Sequence, residues 1–512
     1  MQFHILGQRK PLFVALLGCS ALLSGCVTGG YHEQVASTVN ATKIGAVDVA
    51  LSDLEQKNPD KDKDLLYFLE KGELLRMKGS YPDSRDNWLQ ADTKVRDWEE
   101  AVKTDPSKLM GDIGSFLIND TTRRYDGRDY EKVLLSVRLA LDHLALGDWG
   151  AARVEIKKMH EREAIIAEYR SKELDEAKKK SEEKGLKATS FKELNGYPVE
   201  TLDAPEVRAL KNSYESAIAN YLAGFVYESL GESSLAAAGY RKAIEMRPGE
   251  KLLEDGLKSL DKRASQARNR KAGVDTLVLV ETGNAPAITS RTLPIPLPLP
   301  TKNGVQVVMT PISWPVVEAM DVSYVANSIG VDDKTQPLTL VTSVDPMARR
   351  AMADEMPGII IRSSVRAIAK GAAQKAIQDN TASMGIAGSL LSIAAGVAAV
   401  VSEKADERTW RTLPGMYSVA RINLPPGSHK VSIGTPVGTV TKEVQLSGNH
   451  AVVVLRSSGN ALYVTQTPYA GPVNGAELKS PESLVEPGAK PDSKTKGGKK
   501  KSATATKKEG TT

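Results

Sequence analysis

The chain has 512 residues, of which 41% are apolar and 26% charged. That is room for three to four domains of roughly 150 residues. It excludes a multi-span membrane protein, a collagen-like chain and a wholly disordered one. Aromatic residues make up only 5%, which disfavours a surface built to stack on sugars or bases. The net charge of +5 comes from the ends. Residues 487–512 hold eight lysines against two acids, and Arg9 and Lys10 add to it at the start. The body between is mildly acidic and gives no general case for nucleic acid.

Arg9 and Lys10 precede an apolar run over 12–23, too short to cross a bilayer core, which needs about 20 helical residues. The segment 1–25 therefore reads as an export signal peptide. It closes on Leu23-Ser24-Gly25-Cys26, which resembles the lipobox of bacterial lipoprotein signals. The resemblance implies cleavage before Cys26 and acylation of that residue. It also implies a lipid anchor at the periplasmic face of the outer membrane, because Val27 stands where an aspartate would mark inner-membrane retention. Two or more acyl chains make a stable anchor, at roughly 0.8 kcal/mol per buried methylene. With Cys19 removed and Cys26 consumed, no thiol is left for a disulfide, a metal or nucleophilic catalysis. Residues 26–42, beginning with Gly29 and Gly30, are expected to be a lipidated tether.

Over 43–270 the apolar residues recur with a helical period. Gly224, Gly231, Ala236, Tyr240, Ala243 and Pro248 resemble the tetratricopeptide repeat, a helix-turn-helix unit of about 34 residues. Two further copies resemble it: Gly72, Gly79, Tyr81, Ser84, Trp88 and Ala91, then Ala140, Gly147, Trp149, Ala152, Ile156 and Met159. Both lack the closing proline, and a degenerate unit fits between Gly79 and Gly147. The charged stretch 161–192 is expected to be a solvated helix.

Near Gly273 the period shortens. Strands are expected at 276–280, 305–309, 323–326, 338–341, 417–424, 429–433, 439–446, 451–456 and 462–466. The run Leu293-Pro294-Ile295-Pro296-Leu297-Pro298-Leu299-Pro300 must be extended, and an apolar strap across a sheet is its simplest role. A helical insertion over 346–404 is expected to be a hairpin, with arms at 357–380 and 383–404. The uncharged stretch 382–402 is long enough to span a bilayer. Its seam of Ile386, Leu390, Ile393, Val397 and Val400 favours packing on protein instead. The fold class is thus α+β multidomain: a tetratricopeptide-like helical domain at 43–270, then a β-sandwich-like domain at 271–470 carrying the helical insertion. The lysine-rich tail 471–512 is expected to be disordered.

No motif carries catalysis. His160-Glu161-Arg162-Glu163 lacks the second histidine of a zinc-protease helix, no Gly-x-Ser-x-Gly elbow occurs, and Asp332-Asp333 belongs to a turn. The reading is therefore no enzyme, no cofactor and no metal. Candidate partner contacts are Arg408 and Trp410, Tyr227 in the clearest repeat, and Gly396 on the smooth face of the insertion; the simpler reading of the first two pairs Arg408 with Asp406 and packs Trp410 where the helix enters the sheet. Cys26 is the lipidation site. Leu146-Gly147-Asp148-Trp149, Ala152-Arg153-Val154-Glu155, Ala405-Asp406-Glu407-Arg408-Thr409-Trp410 and Leu413-Pro414 resemble an uncharacterised family of proteobacterial outer-membrane lipoproteins with tetratricopeptide-like repeats. That resemblance spans most of 26–470 and implies no reaction. The expected function is a protein-binding scaffold or assembly component in the periplasm, engaging a protein partner or another copy of itself. A regulator of a cell-wall synthase, reached from the outer membrane, is the alternative. An enzyme acting on envelope polymer is a distant third.

Overall fold

The computed structural model describes residues 30–104, 124–183, 192, 197–267, 273–301, 304–320, 324–381 and 404–469. The helical region is a series of antiparallel pairs: α1 (Tyr31–Lys43) and α2 (Val47–Lys57), α3 (Leu65–Lys78) and α4 (Tyr81–Thr104), α5 (Asp129–Ala145) and α6 (Trp149–Glu183), then α7 (Ala217–Ser229) and α8 (Ser233–Met246). Two short helices, α9 (Lys251–Lys258) and α10 (Leu260–Ala267), end it. The three expected repeats are α3–α4, α5–α6 and α7–α8. Each turns on a glycine in the left-handed region, Gly79, Gly147 and Gly231, with φ of 85°, 80° and 78°, where a side chain would be strained. The small residue of the first helix is equally needed. A Cβ on Gly224 would lie 2.6 Å from the Tyr240 ring, and one on Gly72 would overlap Trp88.

The tether expected over 26–42 is not what the structure shows from residue 31 on, because α1 is already helical at Tyr31. Val35, Thr38, Val39 and Thr42 fall on one helical face and are buried, and α1 is stitched to the far end of the chain. Thr42 Oγ1 lies 3.1 Å from Ser458 Oγ, and the Tyr463 hydroxyl donates to the Thr42 carbonyl at 2.7 Å. Helix α6 runs unbroken from Trp149 to Glu183, as expected for a charged helix. Its first half is not a solvated face, however, since Arg162 is buried.

The strands are β1 (Val274–Asn284), β2 (Ile288–Thr301), β3 (Gly304–Val317), β4 (Ser328–Val331), β5 (Lys334–Pro337), β6 (Thr339–Ser343), β7 (Pro414–Leu424), β8 (Gly427–Thr435), β9 (Gly438–Leu446), β10 (His450–Ser458) and β11 (Ala461–Gln466). They form a five-stranded sheet in the order β11-β10-β1-β7-β6, a four-stranded sheet β5-β4-β8-β9, and the two-stranded ribbon β2-β3. Among the described residues only β1–β10 is a parallel pairing. Of the expected strand 323–326, residues 324–326 carry no regular structure and 323 lies outside the described residues. The strand follows them, as β4, and returns as β5 through Asp332, at φ 51°.

Side-chain alternation gives the five-stranded sheet two different faces. Val274, Val278 and Val280 of β1, with Ala451, Val453 and Leu455 of β10, pack on Ile329, Val331, Val431, Ile433 and Val444 of the second sheet. This is the sandwich. Leu277, Leu279, Val419, Val452 and Val454 point the other way, into the same core as Trp88, Leu134, Ile156 and Phe225 of the helices. The architecture is the expected α+β one, a helical region followed by mixed sheets with an inserted helix, and the two regions share a hydrophobic core.

The insertion begins as α11 (Val344–Thr381), with Pro357 inside it rather than at its start. The second expected arm, 383–404, lies outside the described residues up to 403. Among the described residues no helix is long and apolar enough to cross a membrane, and 382–402 is not among them.

The proline run is extended as expected, but it is not a strap across a sheet: it pairs as strand β2 of a ribbon with register Pro294↔Pro311 and Ser290↔Pro315. Just outside the ribbon, Glu318 N–H donates to the Ala287 carbonyl, which fixes the parity: odd residues of β2 and even residues of β3 bond across. Pro294, Pro296, Pro298 and Pro300, together with Pro311 and Pro315, all occupy the other set, whose N–H would point away from the ribbon. No cross-strand bond is lost to a proline.

Candidate functional site

The inner face of the helices is filled by the chain itself. Residues 404–413 leave the insertion and cross α3, α4 and α5 before entering β7. Two glutamates hold their backbone. Glu131 Oε1 accepts from the Trp410 N–H at 2.7 Å and from the Thr409 hydroxyl at 2.8 Å. Glu70 accepts from the Arg411 N–H at 2.7 Å and the Thr412 N–H at 3.0 Å. Arg128 donates to the Asp406 and Arg408 carbonyls at 3.1 and 3.4 Å. Burial raises the Glu70 carboxyl to about 7, against the pull of the Thr412 hydroxyl and the two amides. Trp410 is fully enclosed, its ring edge-on to Trp88 at 6.0 Å.

Beneath this strap lies a buried charged seam. Arg456, Glu281 and Tyr417 sit opposite one another on β10, β1 and β7, all on the helical face. Arg138 of α5 reaches into this row. It bonds Glu281 and, at 2.7 Å, Glu73 of α3; Arg138, Glu73 and Glu281 are wholly buried. Arg456 stands 3.9 Å from Glu73, and Arg76 pairs with Asp142 nearby. Burial weighs against charge on Arg138, but Glu281 and Glu73 hold its pKa above the ordinary arginine value. Burial raises Glu73 and lowers Arg456. A second cluster joins α4 to α6, where Arg162 bonds Asp92 at 2.7 Å and Glu99 at 2.5 Å. A third joins Arg170 to Asp129, Glu173 and Glu355 of α11. These arginines are spent on fixing one element to another.

An open concavity lies elsewhere. A cleft of about 1250 Å³ lies between α9–α10 and the sheet, bordered by Lys251, Lys262, Arg263, Arg421, Asn449 and His450. Asp275 and His450 line it, and their ligand atoms and that of the buried Glu228 lie within 4.8 Å of one another. Two guanidiniums already supply the cation there. Arg421 Nη2 is 3.0 Å from Glu228 and also pairs with Asp275, and Arg263 donates to Glu228 at 2.7 Å. Burial keeps the His450 imidazole below its usual pKa. The group suits a structural ion-pair set better than a metal centre.

Of the candidate residues read from the sequence, Arg408 and Trp410 share the strap. Arg408 bonds Asp406 at 2.8 Å and lies over the Tyr125 ring. Because the Trp410 indole is enclosed by the chain's own helices, it is not a surface anchor. Tyr227 is buried on α7, with Arg153 over its ring. Gly396 and Cys26 lie outside the described residues. Sequence reasoning missed Glu70, Glu73, Glu131, Arg138 and Glu281. The available signal was a charge inside an apolar run: Arg138 follows Leu134-Leu135-Ser136-Val137, and Glu281 ends Leu277-Val278-Leu279-Val280.

No protein-family model matches the chain, and no curated protein matches it. Among solved structures, a tetratricopeptide repeat protein from Parabacteroides merdae ATCC 43184 is distantly similar, at 13% identity and a TM-score of 0.13. The match covers 45% of this chain and 98% of that one.

Proposed function

We propose that the protein is a non-catalytic lipoprotein, acylated at Cys26 and held at the periplasmic face of the outer membrane, where it serves as a scaffold for another protein. The lipobox-like Leu23-Ser24-Gly25-Cys26 supports the anchor. The observation that carries the scaffold reading is the strap: stacked helical hairpins grip an extended polypeptide by its backbone amides, which is recognition of polypeptide rather than chemistry on a substrate. Repeat arrays of this kind commonly use their concave face for partners. Here that face is occupied in cis, so the partner's seat is the open cleft between α9–α10 and the sheet.

The test is photo-crosslinking in cells from a reactive residue placed at Lys262, with the products identified by mass spectrometry. One reproducible partner is expected, and its yield should fall at least tenfold in the exposed variant Lys251→Glu. Recovery of uncrosslinked protein alone, or a yield indifferent to the charge reversal, would count against the cleft. The anchor is tested separately. Cys26→Ser should leave the outer-membrane fraction while keeping its melting temperature, and retention there after a salt wash would refute acylation as the sole attachment.

A further inference from the structure

The two edges of the β2–β3 ribbon are unlike, and the difference points to an association surface. Outward on β3 are the odd-numbered residues, as two contacts confirm. The Pro315 carbonyl accepts from the buried Tyr197 hydroxyl at 3.0 Å, and the Val317 carbonyl accepts from Arg349 Nη1 at 3.2 Å. From Pro311 to Val317 the edge is therefore covered by side chains of the body or lacks donors. From Val305 to Met309 it is different: the N–H groups of Val305, Val307 and Met309 face outward, and among the described residues no strand pairs with them. Outward on β2, by contrast, are Pro294, Pro296, Pro298 and Pro300, which have no N–H to offer.

We propose that β3 pairs with β3 of a second copy of this chain, antiparallel about a two-fold axis at Val307. Val305 then faces Met309 of the second copy, Val307 faces itself, and each such pair exchanges two main-chain hydrogen bonds. Two features single out a second copy as the occupant. The segment Val305-Gln306-Val307-Val308-Met309-Thr310 carries no charge, so the axis sets no like charges together; β9, also at the edge of its sheet, has Lys442 and Glu443 near its middle. The assembly also closes at two. A sheet in the order β2-β3-β3-β2 ends on proline edges that cannot template a further strand, whereas an uncharged ribbon open on both sides would grow. This surface is separate from the cleft, so its failure and that of the scaffold reading are distinguishable.

Sedimentation velocity of the detergent-solubilised full chain at micromolar concentration should show a dimer. Val307→Pro removes only an outward amide and keeps the β2–β3 ladder; it should weaken the dimer at least tenfold, while Val307→Thr, which retains the amide, leaves it unchanged. Pro296→Thr/Pro298→Thr restores donors to the closed edge and should yield species larger than a dimer. A nitroxide at residue 307 in a Cys26→Ser background should couple to its twin across the axis. A wild-type chain that stays monomeric, a Val307→Pro dimer as tight as wild type, or no dipolar coupling at 307 would each overturn the proposal.

Discussion

The two faces of the five-stranded sheet bury comparable strands by opposite means. On the sandwich side Val278, Val280, Val453 and Leu455 pack in a mainly aliphatic cluster that Tyr324 joins at its margin. On the helical side the same strands present Glu281 and Arg456 to Arg138 and Glu73. An aliphatic face is non-directional and tolerates repacking if volume is kept. A buried ion set does not, because each charge left without its counterpart keeps its desolvation cost. The sandwich side thus supplies burial, and the helical side specifies which helices dock and in what register.

The sharpest way to break that comparison is to remove one member of the seam. Arg138→Met leaves Glu73 and Glu281 buried beside each other and should cost about 3–5 kcal/mol, read as the free energy of urea unfolding. Adding Glu73→Gln and Glu281→Gln should recover part of that loss. A single variant as stable as wild type would mean that the seam does not act as a matched set.

The next effect is a pH dependence. Burial raises Glu70 to about 7, above its ordinary value near 4.5, so the folded chain binds a proton that the unfolded chain releases. The stability this gives is complete below about pH 4.5 and is lost as pH rises through 7. The difference in stability between wild type and Glu70→Gln should therefore change by about 2–4 kcal/mol between pH 4.5 and 8, favouring wild type at the acid end. A difference that is flat with pH would show that the two amides and the Thr412 and Tyr31 hydroxyls that donate to the carboxylate offset its burial.

Truncating the aliphatic side should cost least. Val453→Ala is expected to lose about 1–3 kcal/mol, and Val453→Ile should be tolerated better than any change at Arg138. If the aliphatic swap were the more damaging, the assignment of specificity to the charged face would be reversed.

How far the sequence disclosed all this follows from which signals are local. Gly79, Gly147 and Gly231 each mark a helical turn, because left-handed backbone demands the residue there. The unbroken apolar run Leu277-Val278-Leu279-Val280 marks β1 as a strand buried on both faces. The tether was misjudged because α1 buries only small and β-branched residues, Val35, Thr38, Val39 and Thr42, whose stripe is weak without its neighbours. The Asp406–Arg408 pair and the packing of Trp410 were legible locally and are observed; what holds the segment was not, since the carboxylates come from Glu70 and Glu131, hundreds of residues earlier. Arg162 follows Met159 and precedes Ile166 and Tyr169 on one helical stripe; its place among apolar positions was the available sign that α6 turns a charge inward. Which acid meets it is a matter of tertiary pairing, and no local pattern carries that.

The central claim is that the strap 404–413 is a permanent part of the core, so that the helices and the sheet unfold together and a partner must bind elsewhere. Hydrogen exchange measures this directly at the amides of Trp410, Arg411 and Thr412. They should exchange only by global unfolding, with the same protection free energy as Leu277–Val280 of β1 and the same dependence on denaturant. Exchange of these amides by a smaller, denaturant-insensitive opening, while β1 stays protected, would contradict the claim and make the strap a releasable lid over the helical groove.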